Sequence, residues 1–298
     1  APVRAESVLF VGAAPDRPRP LGADQAVLGV DATGGLHLLW HGRRLAIRDP
    51  DLVLAAFAWP KQAAVPLATG LLNAIPAGAD LGRLHPIGHS GRSALAGVRV
   101  GEVFVVENQR GDRQFGVVSP AGLADITQVQ AAVLLADGAN GLAGTAKPIS
   151  QAEYAAGPHA PALVPTGPAA PPAEIPDLAR SPEQQGVCAR FPVGGSAPEV
   201  VATQTSPRAG YEVRARAGVD WVAVPPGRGA VVEAAPGGAQ AIVTDLGIRY
   251  PLPSGQVLAL LGYPADQVRP VRLPSALVAL LPLGRPLDPV AAAVPSTG

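Results

Sequence analysis

The sequence predicts an α+β fold, mainly β, in which short hairpins and short helices recur as copies of one unit. Three observations point there. The chain of 298 residues holds 35 Gly and 34 Pro, too much punctuation for long helices or a doubly wound sheet. Its hydrophobic content is 48% but its aromatic content only 4%, so Ala, Val and Leu build the core. The stretch from Ala239 to Pro289 repeats the plan of Leu36 to Leu81. Gly42-x-Arg44-Leu45 matches Gly247-x-Arg249-Tyr250, and Ile75-Pro76-x-Gly78-x-x-Leu81 matches Leu281-Pro282-x-Gly284-x-x-Leu287. Such internal similarity marks an architecture made of repeated supersecondary units.

Each copy reads as hairpin, helix, loop, helix. The hairpins are Leu36–Trp40 with Arg44–Ile47, and Ala241–Thr244 with Ile248–Leu252, turned by Gly42 and Gly247, which supply positive φ. Asp51 and Ser254 are the expected N-caps. Helices are predicted over Leu52–Trp59 and Gln256–Leu261, the first ended by Pro60 and the second by Gly262 with Pro264. Second helices follow over Leu67–Ile75 and Ser275–Leu281, stopped by Pro76 and Pro282.

Ahead of the first copy, Glu6–Phe10 and Gln25–Val30 are short apolar runs. The second is expected to pair with Leu36–Trp40 across Thr33-Gly34-Gly35. Residues 82–97 read as a loop. Val98–Val106 and Gln114–Val118 then form another hairpin, with Gly122 in the following turn and Thr127 capping a helix from Gln128 to Ala136. This is a third, shorter copy. From Gly138 to Gln185, Pro158, Pro161, Pro165, Pro168, Pro171, Pro172, Pro176 and Pro182 predict a semi-rigid extended linker. Beyond it, Val187–Pro192, Val200–Gln204, Tyr211–Ala215 and Trp221–Val224 are strand candidates. Residues 226–232 lead into the last copy as residues 98–103 lead into the middle one. The expected divisions are 1–82, 83–138, a linker 139–186, a central β segment 187–226, and 227–298.

The charge balance excludes one class of partner. Lys+Arg and Asp+Glu are 23 each, and a net charge of zero argues against nucleic acid. No run reaches the roughly 20 apolar residues that span a bilayer. The chain lacks Met and opens on Ala1, as a processed or cut chain would.

No reactive constellation is legible, so no catalytic, cofactor-binding or metal-ligating residue and no cofactor is assigned. Neither lysine, Lys61 or Lys147, has a P-loop context; Pro148 follows the second. Gly88-His89-Ser90-Gly91-Arg92 falls short of a nucleophile elbow. His85 and His89 have metal-ligand spacing only on a helix, which Pro86 and Gly88 oppose. His37, His41 and His159 are scattered. Asp49, Asp51 and Asp288 read as caps or turn residues. Cys188 stands alone and cannot form an internal disulfide; it reads as a small buried side chain or the end of an intermolecular bridge. Trp40, Trp59 and Trp221 read as packing residues before an exposed patch.

Several strings together resemble a known family. Tyr250-Pro251-Leu252, Val257-Leu258-Ala259-Leu260-Leu261-Gly262-Tyr263, Val268-Arg269-Pro270-Val271 and Leu281–Pro289 are similar to the EccB family. That family is a core membrane component of the actinobacterial type VII (ESX) secretion system. Asp125–Ala132, Trp221–Gly227 and Leu54–Phe57 resemble it too. The resemblance spans nearly the whole chain outside the linker. It implies an elongated body of repeats around a central, barrel-like β domain, with halves related by a pseudo-twofold. It implies a cytosolic segment and one membrane helix before Ala1, placing this chain on the extracytoplasmic (periplasmic) side. The implied partners are EccC, EccD, EccE and the mycosin protease, with several copies of the chain per complex. Members often carry a cysteine pair that forms a disulfide; Cys188 has no mate here, so packing alone must stabilise the fold.

Three functions follow as expectations. The first is a structural scaffold of the secretion complex. The second is an ATPase, an activity attributed to some members of the family, although no phosphate cradle or metal carboxylate is legible here. The third, suggested by repeats alone, is a cell-wall-binding module.

Overall fold

The computed structural model describes residues 5–13, 18–84, 93, 95–138, 144–163, 167, 170–179, 186–192, 198–203, 212–215, 219–264 and 267–292. It contains three copies of one unit, and all three are complete. Each has three antiparallel strands, a helix, a fourth strand parallel to the first, and a second helix. The first unit runs Gln25–Val30, Leu36–Trp40, Arg43–Ile47, helix Pro50–Ala56, Val65–Pro66, helix Thr69–Ala74. The middle unit runs Val103–Glu107, Arg113–Ser119, Gly122–Ile126, helix Gln128–Ala136, Lys147–Ile149, helix Gln151–Ala156. The last runs Ala230–Ala235, Gln240–Val243, Arg249–Pro251, helix Gln256–Leu260, Val271–Pro274, helix Ser275–Ala279. In each, the returning strand pairs parallel with the first: Val65 opposite Gly29, Lys147 opposite Phe104, Val271 opposite Val232.

The duplicated motifs explain themselves in this geometry. After the second helix the chain folds back against the third strand and closes a clasp. Arg44 N donates to Pro76 O at 2.9 Å and Gly78 N to Arg44 O at 2.8 Å. Arg249 N donates to Pro282 O, and Gly284 N to Arg249 O, each at 2.8 Å. The middle unit does the same with Leu123, Pro158 and Ala160, again at 2.8 Å. Five residues after each proline, the amide of Leu81, Leu163 or Leu287 donates to the carbonyl two residues further along the third strand, that of Ala46, Asp125 or Pro251. The arginines add a side-chain bond, from Arg44 Nε to Ile75 O at 3.2 Å and from Arg249 Nε to Leu281 O at 3.1 Å. Proline fits the clasp because its carbonyl is used and its missing amide is not needed.

The linker expectation is overturned. Residues 147–160 complete the middle unit, and Asp177–Leu178 adds an edge strand to Gln25–Val30. Ser150 and Glu153 form a capping box that starts a helix inside this proline-rich stretch. Tyr154 then anchors that helix, its ring tilted on Phe104 and its hydroxyl donating to Asp125 Oδ1 at 2.8 Å. Two expected caps also differ. Asp51 lies inside helix Pro50–Ala56, whose N-cap is Asp49, and Gly255 rather than Ser254 precedes helix Gln256–Leu260; neither position makes a side-chain cap bond. Thr127 does cap Gln128–Ala136, with Gln130 closing the box.

Two small sheets lie between the first and last units. In one, Glu199–Thr203 lies between Gly186–Arg190 and Arg19–Pro20; in the other, Trp221–Ala223 lies between Val8–Phe10 and Val213–Arg214. The expected barrel-like centre is not formed: these sheets stay open, and no closed barrel occurs among the described residues. No described helix is long and apolar enough to cross a membrane.

The middle unit also contains a titrating clamp. Glu102 is only 8% exposed and takes Lys147 Nζ at 2.7 Å and Arg99 Nε at 3.0 Å. Lys147 Nζ also donates to Gly97 O at 2.7 Å, so one side chain ties the returning strand to the segment that enters the unit. Burial pushes the Glu102 carboxyl up, but the hydrogen bonds from Lys147 and Arg99 and the Lys147 charge outweigh it and hold the pKa at about 2, against an ordinary 4.5. A depressed carboxylate contributes stability above its unfolded pKa and loses it as pH falls through the folded one. Glu102→Gln is therefore expected to cost about 2 kcal/mol at neutral pH. The gap between its melting temperature and the parent's should close between pH 4.5 and 2. A gap that persists at the acid end would show that the carboxylate is not the source.

Candidate functional site

A cleft of about 1900 Å³ opens where the first unit, the last unit and the central strands converge. Leu67 and Leu71 line it from the first unit, Leu273 and Leu277 from the last, Phe10 from the N-terminal strand and Val187 from the centre. Helices Thr69–Ala74 and Ser275–Ala279, equivalent in their units, pack on each other beside it. The repeat places like against like elsewhere too: helix Pro50–Ala56 packs on its equivalent Gln128–Ala136. Val53, Leu54 and Phe57 share one buried cluster with Val129 and Val133.

Most of the residues lining the cleft are apolar, and the charged ones are Glu6, Asp177, Arg190 and Arg269. Two of these already have partners: Glu6 Oε1 accepts from Trp221 Nε1 at 2.7 Å, and Arg190 is ion-paired to Glu199. Cys188 is half-buried in the wall. Burial pushes its thiol up, and a hydrogen bond with Thr203 recovers only part of that shift. A neutral thiol is a weak nucleophile.

The residues weighed for chemistry fall apart in space. His85, His89 and Ser90 lie outside the described residues. His37 Nε2 meets Asp31 at 2.9 Å inside the first hairpin, where Asp31 also takes Thr33 and Gly35. Burial raises the Asp31 carboxyl, and these hydrogen bonds together hold it well below the usual range. His41 stacks on Trp40 and bonds Ala23 O. His159 bridges to Leu123 in the middle clasp. Asp49 Oδ2 accepts from Arg83 N, and Asp288 Oδ1 from Val290 N. The tryptophans are dispersed. Trp59 is 9% exposed against Phe57, Trp40 packs on the same core, and Trp221 lies in a central sheet under Arg214. No group of three metal-ligating side chains occurs among the described residues. What the sequence missed is the cleft itself, because its walls come from segments as distant as Phe10 and Leu281, which no local pattern connects.

Comparison with known proteins places these features. A family described as "Type VII secretion system ESX-1, transport TM domain B" (T7SS_ESX1_EccB) matches residues 3–297. Among solved structures, the chain is similar to one described as "Structure of EccB3 dimer from the ESX-3 core complex". The TM-score is 0.73 at 27% identity, covering 96% of this chain and 77% of that one. It also shares the fold of chains in the periplasmic assembly of the ESX-5 inner membrane complex and in an intact ESX-5 inner membrane complex. Each gives a TM-score of 0.70 at 20% identity and covers 98% of this chain, with 73% and 63% of the respective matched chain. No curated protein matches the sequence.

Proposed function

The chain belongs to the EccB family of type VII secretion components, and from that premise we propose that it is a structural scaffold of the secretion membrane complex, acting on the extracytoplasmic side. The observation that carries this reading is the pairing of like helices: repeated units joined through equivalent faces make a rigid body whose surfaces are preset for assembly. The similar structures, an EccB3 dimer and a periplasmic assembly of an ESX-5 inner membrane complex, support self-association and that location. EccC, EccD, EccE and the mycosin protease are the proposed neighbours, and a membrane helix outside this chain the proposed anchor. In place of the five divisions expected from the sequence, the proposed organisation is three units and a two-sheet centre, with residues 147–160 in the middle unit, a reading supported by the element order.

Deleting the gene and analysing the membrane complex by native electrophoresis tests the proposal. The high-mass complex and export of its substrates are expected to vanish together and to return with the chain. A complex that assembles at full size without the chain refutes the scaffold role. Micromolar ATP binding to the purified chain, abolished by an arginine substitution, would replace it with the nucleotide reading.

A further inference from the structure

Each central sheet brings an outer strand to the cleft. Val8–Phe10 and Gly186–Arg190 are end strands of their sheets, and every residue of both lines the cleft. Among the described residues no strand pairs with the far edge of either. The ladders show which backbone groups are left over. Trp221 N donates to Ser7 O and Val11 N to Ala223 O, so residues 7, 9 and 11 turn to the partner strand while Val8 and Phe10 turn away. Leu21 N donates to Val200 O, which turns Val200 and Ala202 to Arg19–Pro20 and Val201 to Cys188. The amides and carbonyls of Val187 and Ala189 therefore stand on the open edge. Leu9 and Val11 pack on the core of the last unit, and Val187 and Ala189 on a core of the first, so both edges are held in place. Neither Val8–Phe10 nor residues 186–189 carry the proline or charge that closes a natural edge to pairing.

We propose that the cleft binds an extended polypeptide segment of another component of the complex, which adds as a strand to the edge of Gly186–Arg190. The scaffold reading supplies the source of the segment; the site itself follows from the strand edges. Three properties select this occupant. Open backbone groups in an apolar cleft are satisfied by a second backbone and not by an acyl chain. A volume of about 1900 Å³ exceeds the roughly 300–1,000 Å³ of a small-molecule pocket. Glu6 and Asp177 balance Arg190 and Arg269, so the lining favours a segment without net charge, apolar at alternate positions. Matching the five residues of Gly186–Arg190 takes about 17 Å of strand. Val8–Phe10 offers a second, shorter edge to the same segment or its continuation.

Peptide binding to the purified chain is the test, read by fluorescence anisotropy. The probe is a labelled seven-residue peptide of alternating Thr and Val. It is expected to bind, and the same peptide N-methylated at every residue to bind at least tenfold more weakly, since it has lost its donors. Bound peptide should slow hydrogen exchange at the Val187 and Ala189 amides about tenfold or more. Ala189→Pro removes one outward amide and leaves the ladder to Glu199–Thr203 intact, so it should weaken binding about fivefold, with a thermal melt to verify folding. The methylation and exchange measurements decide the matter even where proline unfolds the chain. Absence of binding, equal binding of the methylated peptide, or exchange unchanged at Val187 and Ala189 overturns the proposal. Dimerisation of the chain that protects the same two amides also overturns it, because the occupant is then a second copy. The scaffold reading is decided separately: a chain that restores the high-mass complex but binds no peptide leaves the scaffold standing and removes only the strand site.

Discussion

Phe104→Ala is expected to lower stability by about 4 kcal/mol, the range for emptying a fully buried aromatic site. Phe104 is 0% exposed and packs with Leu95, Val98, Val106, Val118 and Leu123, and from the return arm with Ile149 and Tyr154. Its ring covers Gly116, its direct partner across the antiparallel ladder. A Cβ on Gly116 would lie 2.1 Å from Phe104 Cζ, so the ring occupies the space a side chain would take. Gly116→Ala should therefore also destabilise. Phe104→Leu with Gly116→Ala should cost less than the two separate changes added, by about 1 kcal/mol, because volume lost on one strand is regained on its neighbour. Urea unfolding of the four proteins measures this. Strict additivity would mean that ring and glycine are not in contact.

Arg83→Ala is expected to cost about 3 kcal/mol, as does breaking an ion pair whose carboxylate is buried. Arg83 Nη1 meets Asp137 Oδ1 at 2.6 Å and Oδ2 at 2.7 Å, and the Asp137 side chain is 3% exposed. The backbone amide of Arg83 donates to Asp49 at 2.7 Å. Asp49 begins helix Pro50–Ala56 and Asp137 ends helix Gln128–Ala136, so one residue fastens opposite ends of the two paired helices. Alanine keeps the amide bond and removes the guanidinium, which isolates the second contact. Adding Asp137→Asn should recover part of the loss, since a neutral amide is cheaper to bury than a carboxylate. A double variant less stable than Arg83→Ala would contradict this.

The sequence was readable where a signal is local. The hairpin of Gln25–Val30 with Leu36–Trp40, the capped helix Gln128–Ala136 and the four strands around the centre lie where alternation, glycine turns and Thr127 place them. The match between the first and last copies was also visible, because both use Gly-x-Arg and Pro-x-Gly in the clasp. The middle copy was half missed. It carries Leu123 where the others have arginine and Ala160 where they have glycine, and prolines surround it. Pro158-x-Ala160-x-x-Leu163 and the capping box Ser150-x-x-Glu153 were the available signals, outweighed by proline content. The parallel returning strands were not readable at all. They run two to four residues, too short for any alternation, and are defined by a partner some forty residues away.

The pairing of Val8–Phe10 with Trp221–Ala223 bears on how the chain is made. Ser7 and Asp220 fasten the same junction through their side chains at 2.9 Å. Translation runs at about 5–20 residues per second, so the first strand leaves the ribosome on the order of 10 to 40 s before its mate is synthesised. For that interval Val8–Phe10 has no strand to pair with, and water alone satisfies its backbone groups.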